Sequence, residues 1–360
     1  MIRLFVSVLA AAALLCGTPA ACAADGPPLV VGLLLPPDEP EAVGIRQGTL
    51  VAAEEANEGP GPRVSVAVRG KTGAWGSDAS EAALLVMDDG AEALIAPPSG
   101  AASHLVLQVS GRTAVPVVSL CPDTSVTRAS IPSMVRVVPS TFDEARALFE
   151  GAAASRWLVF LSTGRAGREA SRDVSAAAAA TAVAAGKGSI ERSVETDGRV
   201  NGAALRDLLS AVHPDAVLVW LDPVPAGRLA RSLRAAGFAG PLGGPMRLAS
   251  PAFVAEAGSS AEGFVVPVIA SEGNGVMAAF ESRYRRRFGA APGPAAAVAH
   301  DAAALLFDAM RRKGAEGARR AFPPAERIRG ATGILAFDRN GNRLVTLQVR
   351  RYRDGHLVRG

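Results

Sequence analysis

The chain has 360 residues, a length that predicts two domains. Hydrophobic residues make up 49% of it and charged residues 20%, which excludes an intrinsically disordered chain. The formal net charge of +4 is spread along the chain, and only 5% of the residues are aromatic. This pattern does not favour a nucleic-acid-binding protein, whose basic residues cluster among aromatic ones.

Residues 1–24 have the organisation of a secretory signal peptide. Arg3 supplies a positive charge, an apolar run extends from Leu4 to Leu15, and small residues follow as far as Ala24. Cleavage after Ala23 or Ala24 fits this pattern. The alternative is lipid attachment at Cys22, although Pro19 occupies a position where a lipoprotein signal normally has Leu. With either processing, we expect the mature protein in the periplasm.

Cys121 is the one cysteine outside this segment, so the sequence predicts no internal disulfide. A chain of this size builds a sufficient core without one.

Strand and helix patterns alternate along the first part of the mature chain. The run from Leu29 to Leu35 is continuously apolar, as in a strand that is buried on both faces. Apolar or small residues at helical spacing follow, and Gly59-Pro60-Gly61-Pro62 ends that helix. The alternation predicts a parallel sheet with helices on both faces, with strands at residues 29–35, 64–68, 93–96 and 115–120.

The same alternation begins again after Pro139. Thr141-Phe142-Asp143-Glu144 has the pattern of a capping box that starts a helix. An alanine-rich helix is expected at residues 168–185. The sequence therefore predicts a second parallel sheet, with strands at residues 157–161, 190–194, 216–221 and 263–268.

The C-terminal part departs from this alternation. Helices are predicted at residues 276–288 and 295–312, followed by apolar runs at 334–337 and 344–353. The Asn340-Gly341 turn between those runs predicts a β-hairpin. We expect these elements to complete the two lobes and not to form a third domain.

Several segments together resemble the type I periplasmic solute-binding proteins, and in particular the leucine/isoleucine/valine-binding group of ABC importers. The opening strand from Val31 to Pro36, followed by Gly44, Gly48 and the helix segment from Ala53 to Asn57, resembles the start of these proteins. Further segments agree in order and spacing: Ala93 to Pro97, Val115 to Ser119, Met134 to Pro139, Phe280 to Phe288, His300 to Ala302, and Gly330 to Gly341.

The resemblance implies an α/β chain of two Rossmann-like lobes that are joined by three crossovers and enclose a ligand cleft. Lobe one would comprise residues 25–139 and 271–329, and lobe two residues 140–267 and 331–360. The hinges would lie near residues 139–141, 266–271 and 328–334.

The resemblance also implies the function. The chain would be the solute-binding component of an ABC importer, would act as a monomer with a permease of the inner membrane, and would need no cofactor or nucleic acid. A receptor of the same fold that reports its ligand to a regulator is the alternative. An enzyme is the third hypothesis, but the sequence has no nucleophile elbow, P-loop, paired cysteines or metal-type histidine spacing.

In such a fold the ligand lies at the carboxyl ends of the parallel strands, next to helix N-termini that favour an anionic group. The candidate residues of lobe one follow two neighbouring strands. Each has a structural alternative, since the serines are also suited to capping helices and Cys121 to the core. The candidates are Ser99, Ser103, Ser119, Cys121, Asp123 and Thr124.

Lobe two departs from the amino-acid-binding pattern of the family. The loop at residues 162–165 lacks the Tyr, and the loop at residues 244–247 lacks the acidic residue, that bind the ligand's ammonium group. These loops instead carry Arg165 and Arg247, which are predicted to bind an anion or to be solvated. Trp75 is predicted to stack on the ligand or to pack on the surface. We therefore expect a carboxylate or an aromatic anion in place of a branched-chain amino acid.

His300 stands where the family usually has Tyr. It is expected to form a core pair with Asp301.

Overall fold

The computed structural model describes residues 27–72, 76–128, 131, 133–270 and 275–359. The predicted signal peptide, Cys22 and Trp75 lie outside these residues, as does residue 271 at the end of the second predicted hinge. Within the described ranges, no helix combines the length and the apolar character needed to cross a membrane.

The first sheet consists of five parallel strands in the order β2-β1-β3-β4-β5. An inner strand of this sheet, Leu29–Leu34, is buried from Val31 to Leu34 because helices cover both faces, as the continuous apolar run predicts. We call this sheet and its helices lobe one. Its elements are β1 (Leu29–Leu34), α1 (Ala42–Glu58), β2 (Val64–Arg69), α2 (Ser77–Met87), β3 (Ala93–Ala96), α3 (Gly100–Thr113), β4 (Val117–Ser119), α4 (Ser125–Arg128) and β5 (Met134–Arg136).

The second sheet has seven strands in the order β14-β13-β10-β9-β8-β6-β7, and we call it and its helices lobe two. Strands β6 to β10 pair in parallel, whereas β13 and β14 add an antiparallel edge. The elements up to β10 are α5 (Thr141–Gly151), β6 (Arg156–Ser162), α6 (Gly164–Ala185), β7 (Ser189–Thr196), α7 (Gly202–Val212), β8 (Ala216–Trp220), α8 (Pro223–Ala235), β9 (Leu242–Gly243), α9 (Pro251–Ala257) and β10 (Val265–Ile269).

The remaining elements are α10 (Gly275–Phe288), α11 (Pro294–Arg320), β11 (Ile328–Gly330), β12 (Gly333–Leu335), β13 (Leu347–Arg353) and β14 (His356–Arg359). Helix α11 packs against α1 of lobe one. Gly48 permits this approach, because a Cβ atom at this position would lie 2.0 Å from the carbonyl oxygen of Ala296. The late helices therefore complete lobe one. The exact lobe boundaries and hinge positions stay predictions.

The predicted C-terminal hairpin is confirmed next to its turn, where Phe337 and Arg343 form an antiparallel bridge and the N–H of Leu344 donates to the carbonyl oxygen of Ala336 at 2.8 Å. A tight turn forms at Asp338, whose Oδ1 accepts hydrogen bonds from the backbone N–H groups of Asn340 and Asn342, each at 2.8 Å. The strands on either side nevertheless pair elsewhere: β12 with β11, and β13 with β10 and β14. Buried Arg343 holds the chain after the turn, since it donates to the backbone oxygen of Val137 at 3.0 Å and to that of Thr332 at 3.0 Å.

The predicted core pair is confirmed. His300 and Asp301 are both buried on α11, and His300 Nδ1 lies 3.2 Å from Asp301 Oδ1. The other nitrogen, Nε2, lies 2.9 Å from Oε2 of Glu55 on α1. Asp301 also accepts hydrogen bonds from the backbone N–H groups of Ala331 and Thr332, at 2.6 and 2.8 Å. This pair therefore joins both α1 and the β11–β12 turn to α11.

Candidate functional site

A cleft of about 500 Å³ lies between the lobes, where the carboxyl ends of the parallel strands of both sheets face each other. Lobe one contributes the loop after β1, the start of α3 and the loop after β4. Lobe two contributes the starts of α5 and α6 and the loops after β8 and β9. The ionisable and hydroxyl-bearing side chains that line the cleft are Glu39, Glu41, Ser99, Asp123, Thr141, Glu144, Ser162, Arg165, Glu169, Asp222 and Arg247.

The predicted serines have different positions. Ser99 lines the cleft and caps α3, its Oγ accepting a hydrogen bond from the N–H of Ala102 at 3.4 Å. Ser103 and Ser119 are fully buried behind it, with their hydroxyl oxygens 3.3 Å apart. Ser103 donates to the carbonyl oxygen of Pro97 at 2.8 Å. Ser99 is thus the one of these three serines that faces the ligand space, and the other two brace its loop.

Cys121 lines the cleft but is only 1% exposed. Burial raises the pKa of its thiol to about 12, so the thiol stays protonated at neutral pH. A protonated thiol is a poor nucleophile, and the burial of Cys121 fits the core role that was its structural alternative.

Thr124 does not line the cleft and instead bridges the lobes. Its hydroxyl donates to Oδ1 of Asp173 on α6 at 2.8 Å, and its backbone N–H donates to Oδ2 at 3.3 Å. The adjacent Asp123 lines the cleft, and its Oδ2 lies 3.9 Å from a guanidinium nitrogen of Arg172 in lobe two. The structure therefore has the lobes in direct contact beside the cleft.

Both predicted arginines line the cleft, and each is paired with a carboxylate of its own lobe. Arg165 Nε lies 2.7 Å from Glu169 Oε1. Arg247 Nε lies 3.1 Å from Asp222 Oδ1 and donates to the backbone oxygen of Leu221, also at 3.1 Å. An anionic ligand would have to compete with these carboxylates for the guanidinium groups.

Sequence reasoning missed five acidic residues of the cleft: Glu169 and Asp222, which pair with the arginines, and Glu39, Glu41 and Glu144. Glu39 and Glu41 belong to the loop directly after β1, where acidic residues at the carboxyl end of a strand were a usable signal. Glu144 was assigned to a capping box, but Ser140 caps α5 by accepting a hydrogen bond from Asp143 N at 3.0 Å. Glu144 thereby faces the cleft, with Oε2 accepting from the N–H of Met246 at 2.7 Å.

Burial raises the pKa of Glu39, Glu41 and Glu144 to about 7 each. The nearby carboxylate of Asp222 raises the pKa of Glu39 and Glu41 further, and Arg247 opposes this effect. The acidic groups that lobe two lacks in its 244–247 loop are therefore supplied by other segments. A ligand with an ammonium group would therefore find carboxyl groups in this cleft, although the 244–247 loop has none.

We expect the double variant Glu39→Gln/Glu41→Gln, without ligand, to be more stable than the original protein at pH 8, by about 2 kcal/mol or more. This is less than the roughly 3 kcal/mol per group that the full pKa shifts imply, because both side chains are partly exposed and screened by solvent. The folded pKa of both groups lies above the usual value of 4.5, so they destabilise the fold increasingly as pH rises from about 4.5 to about 7. The two proteins should therefore unfold alike at pH 4. Thermal unfolding of both proteins at pH 4 and pH 8 measures the difference in their stability. The same difference at both pH values would contradict the prediction.

The described residues contain no group of three or more His, Cys, Asp or Glu side chains placed to hold a metal ion.

The family comparison matches residues 31–349 of this chain to the family described as periplasmic binding protein. Solved structures share the fold. A leucine-binding protein LivK from Thermotoga maritima has a TM-score of 0.79 at 20% identity, over 92% of this chain and 97% of that one. A solute-binding protein of an ABC transporter from R. palustris, solved with benzoate, has a TM-score of 0.80 at 19% identity, over 92% and 95%.

The branched-chain amino acid binding protein LivJ from Streptococcus pneumoniae, solved with isoleucine, has a TM-score of 0.79 at 17% identity, over 92% of this chain and 98% of that one. The comparison with curated proteins gives no match. The family match spans nearly the whole described chain, and the two-lobed α/β architecture agrees with it. This chain belongs to the periplasmic binding protein family.

Proposed function

We propose that this protein is the periplasmic solute-binding component of an ABC importer, and that it captures a small organic ligand by closing its two lobes. The observation that carries this proposal is the cleft of about 500 Å³ between the carboxyl ends of the two sheets. Pockets of this size suit small molecules. Family membership and the contact of Thr124 with Asp173 across the lobes support closure as the means of capture.

The cleft is lined by apolar side chains together with polar and charged ones. Apolar walls come from both lobes, and the N-terminus of α3 with Ser99 offers backbone N–H groups to a polar or anionic group. Carboxylate oxygens of Glu169 and Asp123 nevertheless lie 2.8 and 3.1 Å from a Cβ atom added at Gly100, so the carboxylate or aromatic anion expected from the sequence would meet two carboxylates at this helix start. The pairing of both cleft arginines argues against an anion elsewhere in the cleft.

The proposed partner is a permease of the inner membrane, to which the closed form delivers its ligand. A periplasmic receptor that signals to a membrane sensor is the alternative within the same fold. Co-purification with a permease and ligand uptake that depends on this protein distinguish transport from sensing.

The variant Gly100→Trp tests whether the ligand binds in this cleft and whether the lobes close on it. A Cβ atom at Gly100 would lie 2.8 Å from Oε2 of Glu169 in the opposite lobe, so an indole there would block closure. A thermal-shift screen of small solutes identifies a ligand, and small-angle scattering measures closure. We expect Gly100→Trp to abolish both the stabilisation and the closure.

Gly111→Trp is the matched control, since it lies on the same helix with no atom within 4 Å of an added Cβ. It should bind and close as the original protein does. Equal binding by both variants would contradict the placement of the site, and the absence of any closing solute would contradict the proposed function.

A further inference from the structure

We propose that the ligand of this cleft carries a protonated amine on an apolar body and no obligatory carboxylate, with the amine held by Glu39, Glu41 and Glu144. The inference rests on the proposed function, since it names the chemical class of the solute that the lobes enclose.

These three carboxyl groups together have one hydrogen-bond donor among the described residues, the N–H of Met246. Within the described residues, no hydrogen bond reaches the side chain of Glu39 or Glu41. Glu144 is only 5% exposed, and the N–H of Met246 satisfies one of its oxygens while the other has no described donor. Glu39 and Glu41 are half-buried, and carboxyl groups that lose water without gaining a partner are costly; an ammonium group supplies both the charge and up to three N–H donors.

Acidic side chains outnumber basic ones in the cleft. Six carboxyl groups and two guanidinium groups line the cleft, and both guanidinium groups are already paired. Glu39 and Glu41 of lobe one interact with both Asp222 and Arg247 of lobe two, so three carboxyl groups meet one guanidinium at this point. A cation placed here would also attract the lobes to each other. The carboxyl groups are those of Glu39, Glu41, Asp123, Glu144, Glu169 and Asp222.

The apolar part of the cleft lining indicates what the rest of the ligand is like. The same cleft is also lined by apolar side chains, among them the buried side chain of Trp220. An apolar wall offers nothing to a hydrated inorganic cation, and it stabilises an aliphatic or aromatic body. The walls come from Ile45 and Val298 of lobe one, and from Trp220 and Met246 of lobe two.

Two matched series of probes separate the charged groups. The first is 3-methylbutylamine, leucine and 4-methylpentanoate, and the second is 2-phenylethylamine, phenylalanine and 3-phenylpropanoate. Each series keeps one apolar body and carries the amine alone, both groups, or the carboxylate alone. Isothermal titration calorimetry at pH 8 is expected to show the amine as the tightest ligand in at least one series, by about tenfold or more over the amino acid.

The variants Glu39→Gln/Glu41→Gln and Glu144→Gln should each weaken amine binding by about thirtyfold or more, because an uncharged amide cannot pair with the ammonium group. Glu191→Gln, on the exposed edge strand β7, is the control and should leave the affinity unchanged. Unfolding curves of all variants show that they are folded.

Preferential binding of the carboxylates or the amino acids, or an undiminished affinity in the variants, would overturn the inference. The same holds if neither amine binds while another solute closes the lobes, and the proposed function then stands. Failure of every solute to induce closure would instead overturn the proposed function itself.

Discussion

Asp301→Ala is expected to lower the free energy of unfolding by about 3–5 kcal/mol, the cost of breaking a buried ion pair by removing one partner. Asp301 has no exposed surface and accepts hydrogen bonds from the backbone N–H groups of Ala331 and Thr332, while pairing with His300. Its removal leaves those buried N–H groups without this acceptor and His300 with Glu55 alone as a counter-charge.

Urea unfolding measures this loss. The matched control is Asp308→Ala on the same helix, where the carboxylate pairs with an exposed Arg312 at 2.8 Å. An exposed pair of this kind contributes at most about 1 kcal/mol. A similar loss of unfolding free energy in both variants would show that the buried contacts of Asp301 stabilise the fold no more than an exposed ion pair does.

Stability is expected to fall by up to about 3 kcal/mol between pH 6.5 and pH 10 through the titration of His300. Burial lowers the pKa of His300, but hydrogen bonds and charge from Asp301 and Glu55 outweigh it and raise the pKa from 6.5 to about 9. Because the folded pKa lies above the unfolded value, the stabilisation is complete below pH 6.5. It is lost as pH rises through about 9.

The measurement is the difference in unfolding free energy between the original protein and His300→Gln, from pH 6 to pH 10. Taking the difference cancels groups that titrate in both proteins. His356→Gln, at an exposed position on β14, serves as the control for replacing a histidine. A flat difference for His300→Gln would mean that folding does not shift the pKa of His300.

The two sheets were predictable from the sequence, because a strand buried on both faces leaves a local trace. The apolar runs at β1, β3 and β8 are each buried along most of their length, and Gly, Pro or Asp residues bound them. Strand β9, with only Leu242 and Gly243, is too short to leave such a trace. It forms because β8 and β10 pair with it from either side.

The closing turn at Asp338 shows where local signals end. Asn340-Gly341 specifies a turn by backbone preference, and a turn is what forms. Which strands pair on either side depends on distant segments, because Arg343 bonds to Val137 and β13 adds to the edge at β10. The residues of β10 that pair with β13 lie 78 to 86 positions earlier in the chain, so this pairing cannot be read from the turn itself.

The sequence by itself determined the fold class, the family and the edge of each sheet where the ligand space lies, because apolar periodicity and loop residues act within short segments. Only the tertiary structure decided which side chains enter that space. Ser99 faces it while Ser103 turns into the core, and Ser140 caps α5 so that Glu144 is free to line the cleft. Which side chains line the cleft depends on how loops of the two lobes pack together, and on how far this packing buries their charged groups.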